Sequence, residues 1–217
     1  MVAGPLYRCI EFDFFSSCVE PPQQAQAQLR FGLPFDLPGH AKNIEFKIPA
    51  GQYFCATARD PLHTLRSTAG IDVVGDKYVT IFKGDPFFGG NWLVGGNLDG
   101  SHVIDVLDAA ILINAEGLAL DPNTACGTPG PHADLNGDGI VDQADMAFID
   151  ANFLETDKDA CCPTGRIAAP EPVTDISIDA LEEMGLGHLR VADLNGDGRL
   201  NADDITLYMS GVRPTRE

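Results

Sequence analysis

The sequence contains, at residues 134–145, the stretch Asp134-Leu-Asn-Gly-Asp-Gly-Ile-Val-Asp-Gln-Ala-Asp145, and repeats it at residues 193–204 as Asp193-Leu-Asn-Gly-Asp-Gly-Arg-Leu-Asn-Ala-Asp-Asp204. Calcium is a hard cation that takes about six to eight oxygen ligands, so a short chain must wrap around it and present an oxygen at every second residue. Both stretches fit the twelve-residue calcium-loop pattern with Asp or Asn at the early odd positions, glycine at position 6 and a carboxylate at position 12. We call them loop 2 (134–145) and loop 3 (193–204).

The pattern predicts the ligands of both loops, with a main-chain carbonyl at position 7. For loop 2 they are Asp134, Asn136, Asp138, the carbonyl of Ile140, Asp142 directly or through water, and Asp145. For loop 3 they are Asp193, Asn195, Asp197, the carbonyl of Arg199, Asn201 and Asp204. Gly139 and Gly198 occupy position 6, where the loop bends sharply and a Cβ would be strained. Magnesium is a poor alternative because it demands near-octahedral geometry and keeps its waters.

A degraded copy, loop 1, reads Asn97-Leu-Asp-Gly-Ser-His-Val-Ile-Asp-Val-Leu-Asp108. Its predicted ligands are Asn97, Asp99, Ser101, the carbonyl of Val103, Asp105 and Asp108, and His102 replaces the glycine at position 6. Fewer charges predict weaker binding. We expect Ca²⁺ at loops 2 and 3 and also at loop 1, for which a metal-free loop kept for structural pairing is the alternative. Position 8 is apolar in all three loops, which predicts a short β-contact with a partner loop.

Residues before about 90 alternate between apolar and polar, which indicates strands with one buried face. Candidate strands include 10–14, 25–31, 44–48, 52–58, 71–74 and 78–83. Short strands of this kind close most economically as an antiparallel sandwich. The predicted fold class is therefore α+β, with an N-terminal antiparallel β-sandwich followed by an α-helical, EF-hand-like calcium module.

Helical spacing replaces this alternation after residue 95. We expect helices at 105–118 and 142–154, and an incoming helix before loop 3 at 177–189. The predicted domains are a sandwich at 1–94, a pair of calcium loop-helix repeats at 95–160, a linker at 161–175 and an additional calcium hand at 176–217.

Composition excludes several function classes. The chain has 217 residues, with 32 Asp and Glu against 14 Lys and Arg, and a net charge of -18. This acid excess argues against binding to nucleic acid or to anionic membrane surfaces. No stretch approaches the ~18 apolar residues of a membrane-spanning helix, so we expect no membrane insertion. The opening Met-Val-Ala-Gly-Pro lacks the features of a secretory signal, which suggests a mature or excised segment.

Cysteine usage indicates the compartment. Six cysteines without a C-x-x-C pair favour disulfides in an oxidising compartment, with buried free thiols as the alternative. Adjacent Cys161 and Cys162 cannot easily bond each other. We expect one of them to pair with a nearby cysteine such as Cys126 and the other with a more distant one.

Catalysis finds little support, and we expect no enzyme. The five histidines are dispersed, no G-x-S-x-G or H-E-x-x-H occurs, and the densest carboxylates are predicted calcium ligands. His63 beside Arg59 and Asp60 is compatible with an acid/base site, but a surface turn that follows a strand is the preferred interpretation. Trp92 with Phe87 and Phe88 either forms an aromatic platform for sugars or closes the sandwich edge.

The segment with loops 1 and 2 resembles a dockerin repeat pair. The resemblance rests on a loop followed by a helix, Asp at position 12, and duplicated copies that begin at residues 97 and 134. Residues 173–212 resemble an additional calcium hand of the same type. The segments 55–66, 78–83 and 89–96 are similar to the β-domain that precedes dockerin-type repeats in large secreted proteins of planctomycete-like bacteria.

The resemblance implies an extracellular or cell-surface protein and leaves three functions open. One is a non-enzymatic calcium-binding structural module for protein assembly, as a surface-layer, adhesin or filament subunit that binds copies of itself or a cell-surface protein. Another is a dockerin that docks onto a cohesin scaffold. The third is a carbohydrate-binding module. Because ten predicted ligands are carboxylates that repel one another, we expect the loop-helix segments to be loose without metal.

Overall fold

The computed structural model describes residues 6–32, 41, 44–45, 47–84, 90–157, 161–162 and 170–215. The strands are β1 (Leu6–Phe15), β2 (Gln23–Phe31), β3 (Cys55–Arg59), β4 (Ser67–Gly70), β5 (Asp72–Val74), β6 (Lys77–Val79), β7 (Asp175–Ser177) and β8 (Arg199–Asn201). The helices are α1 (Val106–Ala115), α2 (Gln143–Ala151), α3 (Ile178–Glu183) and α4 (Ala202–Met209), with a 3₁₀ helix at Gly187–Ala192. The predicted α+β arrangement, an N-terminal antiparallel sheet followed by helices, is confirmed.

The N-terminal sheet is antiparallel, with the strand order β2-β1-β3-β4. Successive side chains of β1 alternate between its faces, so Ile10, Phe12 and Phe14 form one apolar layer with residues of β3. The small sheet β5-β6 contributes Tyr78 to this layer, edge-on to Tyr53 with ring centroids 5.3 Å apart. The alternation of β1 therefore predicted this apolar face correctly, but Cys9, Asp13 and Phe15 on the other face are buried as well, so the expectation of a single buried face is wrong for β1.

Two predicted strands differ from the observed ones. The described residues 44, 45, 47 and 48 lie outside any strand, and the strand predicted at 78–83 is replaced by the shorter β6. Alternation alone did not distinguish extended loop from strand here, because a strand also needs a neighbour to accept its hydrogen bonds.

Three disulfides join the sheet half of the chain to its second half. They are Cys9–Cys126, Cys18–Cys162 and Cys55–Cys161. The predicted pairing of Cys126 with Cys161 or Cys162 is wrong. Cys126 instead meets β1, because the preceding residues run along that strand: the Thr124 N–H donates to the Tyr7 carbonyl at 2.8 Å.

One hydrophobic core contains residues of all three calcium loops and their helices. Helix α1 lies at its centre, and its residues Leu107, Ala110 and Ile113 are buried. The incoming helix predicted at 177–189 is broken: α3 ends before Gly185, whose φ is +77°, and the 3₁₀ helix follows. Glycine tolerates this left-handed conformation, which interrupts an α-helix. Among the described helices, none has the length and apolar character needed to cross a membrane.

Candidate calcium sites

Loop 2 is closed by its first and last predicted ligands. The Asp134 side chain is fully buried, and its carboxylate accepts hydrogen bonds from the main-chain N–H groups of Gly137 (2.8 Å), Asp138 (3.1 Å) and Gly139 (3.0 Å). The Asp145 carboxylate accepts from the N–H groups of Leu135 at 2.7 Å, Asn136 at 2.9 Å and Asp142 at 2.9 Å. Both carboxylates therefore point into the loop rather than into solvent.

Loop 3 repeats these bonds. The Asp193 carboxylate accepts from the N–H groups of Gly196 (2.8 Å), Asp197 (3.2 Å) and Gly198 (2.9 Å), and the Asp204 carboxylate accepts from Leu194 at 2.8 Å. The position-6 glycines have φ of +93° (Gly139) and +82° (Gly198), as the predicted bend requires. Identical local sequence has produced the same local hydrogen bonds.

Position 9 of each loop also begins a helix. Asp105, Asp142 and Asn201 are the N-caps of α1, α2 and α4, and each forms a capping box with the Asp at position 12. The N-cap side chain accepts from an early helical N–H, while the side chain at position 12 accepts from the N-cap N–H. The loop and the helix that follows it are thus one local unit.

Loop 1 contains an orphaned oxygen. Asn97 is 4% exposed, and its buried Oδ1 has no hydrogen-bond partner among the described residues. A buried acceptor without a partner is costly, and a cation at this position would satisfy it. His102 adopts the bend that glycine makes in the other loops, with a φ of +75°.

Burial raises the pKa of several position-12 carboxyls. The pKa of Asp145 rises to about 6 chiefly through burial, and burial followed by repulsion from Asp99 raises the pKa of Asp108 to about 8. Burial also raises the pKa of Asp204. A divalent cation favours the charged carboxylates and reverses this effect. The electrostatics and the oxygen donors of the loops fit a hard cation such as Ca²⁺.

No three His, Cys, Asp or Glu side chains converge as a metal cluster within the described ranges. The loop carboxylates instead accept the main-chain hydrogen bonds described above. The predicted ligand sets also use amide, hydroxyl and carbonyl oxygens, such as those of Asn136, Ser101 and Ile140.

The predicted β-contact between position 8 and a partner loop is wrong. Ile104 of loop 1 accepts from Leu154 at 2.8 Å and donates to Glu155 at 3.0 Å, in the segment after α2. Val141 of loop 2 bonds in the same way to residues 117 and 118, after α1. Each loop therefore pairs with the segment that follows the helix of the other repeat. In loop 3, Leu200 pairs with Ile176 of β7, which precedes it.

A buried polar cluster lies between the sheet and loop 2. Its members Arg8, Asp60, His63 and His132 are each less than 10% exposed. The interpretation of His63 as part of a surface turn is wrong, because the Gly96 N–H donates to the His63 carbonyl and the second half of the chain covers the turn. The sequence contains one indication of this cluster: Arg8 lies within the apolar strand β1, and a buried cation needs a buried partner.

The aromatic platform is only partly described. Trp92 is 48% exposed, whereas Phe87 and Phe88 lie outside the described residues.

Comparisons with known proteins place one segment of the chain. Neither the curated proteins nor the solved structures gave a match. A family match covers loops 1 and 2 with α1 and α2, and loop 3 lies outside it. Residues 96–154 match the dockerin type I domain, and this match confirms the predicted dockerin-type repeat pair in that segment.

Proposed function

We propose that this chain is a non-enzymatic, extracellular docking module in which bound calcium holds the dockerin segment in shape for a separate protein partner, with a cohesin scaffold as the best candidate. The dockerin type I match at residues 96–154 carries the proposal, because dockerin domains bind calcium and bind cohesin partners. The three disulfides support an oxidising, extracellular or cell-surface location.

The outer face of α2 is the best candidate for the docking surface. Ala144, Ala147, Phe148 and Ala151 are exposed on it at the spacing of one helical face. Leu154 beyond the helix is 45% exposed and extends this apolar stripe. An exposed apolar stripe with a polar surround is typical of a protein–protein contact.

The equivalent face of α1 is already covered. Ala110 of α1 lines the same contact region as Ala192 and Ile205, which belong to the additional calcium hand. Among the ten residues of α1, none is fully exposed. The two repeats are therefore unequal, and α2 offers the free helix face.

We also propose that loops 1, 2 and 3 each bind one Ca²⁺. The shared hydrogen bonds of loops 2 and 3 and the orphaned oxygen of Asn97 support these sites. Closure of the N-terminal sheet into a sandwich stays a proposal, supported by the packing of Tyr78 against the apolar face.

Isothermal titration with a purified cohesin module tests the docking proposal. We expect calcium-dependent binding with one cohesin per chain, lost in excess EGTA and weakened at least tenfold by Phe148→Asp, since a charge then enters the apolar contact. Met184→Asp is the matched control, because Met184 is 56% exposed on the additional hand, outside the dockerin segment. Equal weakening by both substitutions would place the contact elsewhere.

Self-assembly is the second candidate and is tested with the same protein. The net charge of -18 makes copies repel one another, whereas screening by calcium would reduce this repulsion. A calcium-dependent rise in mass by light scattering would favour a surface-layer or filament subunit.

Sugar binding is a third candidate, supported by the exposure of Trp92. It requires that the chain binds glycans and that Trp92→Ala abolishes this binding.

A further inference from the structure

Loops 2 and 3 begin with the same six residues, Asp-Leu-Asn-Gly-Asp-Gly, but lie in different surroundings. In loop 2, Gly137 is buried, and a Cβ added to it would lie 3.0 Å from Leu6 Cδ1. In loop 3, the corresponding Gly196 is exposed and has nothing within 4 Å of that position. The first six residues and their hydrogen bonds are the same, but position 9 is Asp142 in loop 2 and Asn201 in loop 3, so the effect of what covers each loop has to be separated from this difference in charge.

The beginning of β1 covers loop 2. Arg8 is 3% exposed, and its Nη2 donates a hydrogen bond of 2.9 Å to the main-chain carbonyl of Asp134, the first predicted ligand. The same guanidinium lies 3.4 Å from Nδ1 of His132, two residues earlier. Leu6 and Arg8 therefore contact loop 2 at position 4 and at position 1.

The segment before loop 2 is attached to the same strand. The Tyr7 N–H donates to Asn123 Oδ1 at 2.9 Å, and the Tyr7 carbonyl accepts from the Thr124 N–H at 2.8 Å. The Cys9–Cys126 disulfide adds a covalent link two residues further along both segments. These contacts hold the entry of loop 2 against β1 independently of any metal.

We infer that Leu6 and Arg8 of β1 act as a template that holds loop 2 in its calcium-binding shape, so that loop 2 binds calcium more tightly than loop 3. The inference rests on the proposed calcium binding and names positioning residues for one of its sites. A pre-formed loop loses less conformational entropy when it takes up the ion. Residues that orient metal ligands from outside the coordination shell act on affinity in this way.

An opposing effect has to be separated from this one. The positive charge of Arg8 repels Ca²⁺, which would weaken loop 2. Asp60 exerts the strongest Coulomb attraction on Arg8 and offsets part of that charge. We therefore expect positioning to outweigh repulsion, and two substitutions of Arg8 distinguish the effects.

NMR spectroscopy of the full chain resolves the two loops in one sample. The Gly139 and Gly198 N–H groups donate to the first ligand of their own loops, so their amide signals report calcium binding at loop 2 and loop 3 separately. Free calcium is set with chelator buffers, and the half-saturation of each signal is measured. In the unmodified chain, we expect Gly139 to respond at a lower calcium concentration than Gly198. Because Asp142 also gives loop 2 one more carboxylate than loop 3, the substitutions in β1 decide how much of this difference comes from the strand.

Arg8→Met removes the charge and the hydrogen bond, while Arg8→Lys keeps the charge and loses the planar fork. We expect both to weaken binding at Gly139, by about tenfold for Arg8→Met, and to leave Gly198 unchanged. Arg59→Met is the matched control, because Arg59 lies on the same sheet and its ion pair is with Glu11. It is expected to change neither signal.

Three outcomes would overturn the template. The first is that both loops are half-saturated at the same calcium concentration in the unmodified chain, and the second is that Arg8→Met changes calcium binding equally at both loops. The third is tighter calcium binding at loop 2 in Arg8→Met, which would identify repulsion by Arg8 as the dominant effect. If neither glycine responds to calcium, the proposed function itself fails. Should the Arg8 variants not fold, Leu6→Ala removes the contact with Gly137. It is expected to weaken the calcium binding that the Gly139 signal reports and to leave the binding reported by Gly198 unchanged.

Discussion

His102 Nδ1 lies 2.7 Å from Asp157 Oδ2 and connects loop 1 to the segment that follows α2. The other oxygen of Asp157 accepts a 2.7 Å hydrogen bond from the Arg66 N–H, just before β4. The Asp157 N–H in turn donates to the His102 carbonyl at 3.0 Å. His102 therefore keeps the left-handed conformation of the glycine that it replaces, and its side chain joins the dockerin segment to the sheet.

This contact predicts different effects for two substitutions of His102. His102→Gly loses a partly exposed hydrogen bond, which contributes about 1 kcal/mol, but also relieves about 1 kcal/mol of left-handed backbone strain. His102→Ala loses the bond and keeps the strain. We expect His102→Gly to leave the free energy of unfolding nearly unchanged and His102→Ala to lower it by about 1 kcal/mol.

Urea unfolding in saturating calcium measures both changes. Asp157→Ala serves as the control for the shared partner and should lower stability further, since it also leaves the Arg66 N–H without its acceptor. Equal stability of the His102→Gly and His102→Ala proteins would mean that the positive φ stores no strain.

The disulfides predict a separation between global stability and calcium affinity. Cys9–Cys126 and Cys18–Cys162 close segments with sequence separations of 117 and 144, so in the chain-entropy account each stabilises the fold by about 3 to 5 kcal/mol. Replacing either pair by alanine should lower the unfolding free energy by a similar amount. Only the loss of Cys9–Cys126 should also weaken calcium binding at loop 2, because that bond holds the entry of loop 2 against β1.

Thermal unfolding and the NMR titration of Gly139 check these two expectations. The Cys18–Cys162 replacement is the matched control for the Cys9–Cys126 replacement. A loss of loop 2 affinity in both proteins would indicate general loosening of the fold, which contradicts a local role for the Cys9–Cys126 bond.

The local shape of loops 2 and 3 could be predicted from sequence because its determinants are local. The hydrogen bonds that the Asp134 and Asp145 carboxylates accept join atoms within the twelve residues of loop 2. The same holds for loop 3, and the N-caps at position 9 set the start of each helix without help from the rest of the fold. The alternation in β1 likewise reveals its two faces.

Long-range placement could not be predicted in the same way. Cys126 pairs with Cys9 because the connection between loops 1 and 2 runs along β1, and nothing in the spacing of the cysteines indicates this. The sequence places His63 at the surface because its turn follows a strand, yet the dockerin half covers it. The partner of each position-8 residue depends on how the two repeats are arranged in space.

The buried pair of Asp60 and His63 predicts a pH dependence. Asp60 Oδ2 lies 3.3 Å from His63 Nε2, and in the described part of the chain neither atom has a hydrogen-bond partner. One proton between them would satisfy both atoms. Burial is the main cause that raises the pKa of Asp60 from 3.8 to about 6.

The raised pKa of Asp60 determines how the stability of the fold changes with pH. Because the folded-state pKa lies above the unfolded value, the contribution of Asp60 to stability is fully present below pH 3.8 and is lost as the pH rises through about 6. Asp60→Asn removes this titration and can still donate to His63. Between pH 4 and pH 7, we expect the stability of the unmodified chain to fall relative to Asp60→Asn by on the order of 3 kcal/mol.

Urea unfolding of both proteins in calcium at each pH gives this difference. The calcium loops are the same in both proteins, so their contributions largely cancel, and burial lowers the pKa of His63 well below its usual range. A difference that stays constant across this pH range would show that Asp60 is ionised throughout.

Calcium removal should expose one particular peptide bond to trypsin. Arg199 is the only lysine or arginine in the three calcium loops, and its side chain is half-exposed beside Asp175, with a 2.6 Å ion pair. Strand β7 pairs with the second half of loop 3, but nothing packs on Gly196 in its first half as Leu6 packs on Gly137 of loop 2, so the order of loop 3 depends more strongly on the ion that fills it. We expect cleavage after Arg199 to be at least about tenfold faster in EGTA than in calcium, since a ligand stabilises the closed form in proportion to its saturation.

Lys77, the exposed first residue of β6, provides the internal control, because cleavage there should not respond to calcium. Asp193→Ala removes the first ligand of loop 3 and should make cleavage after Arg199 fast in both conditions. Mass spectrometry of the early fragments identifies the cut. If Arg199 is cut equally slowly with and without calcium while Lys77 is cut normally, loop 3 is held in shape by its own hydrogen bonds, and calcium has no part in its order.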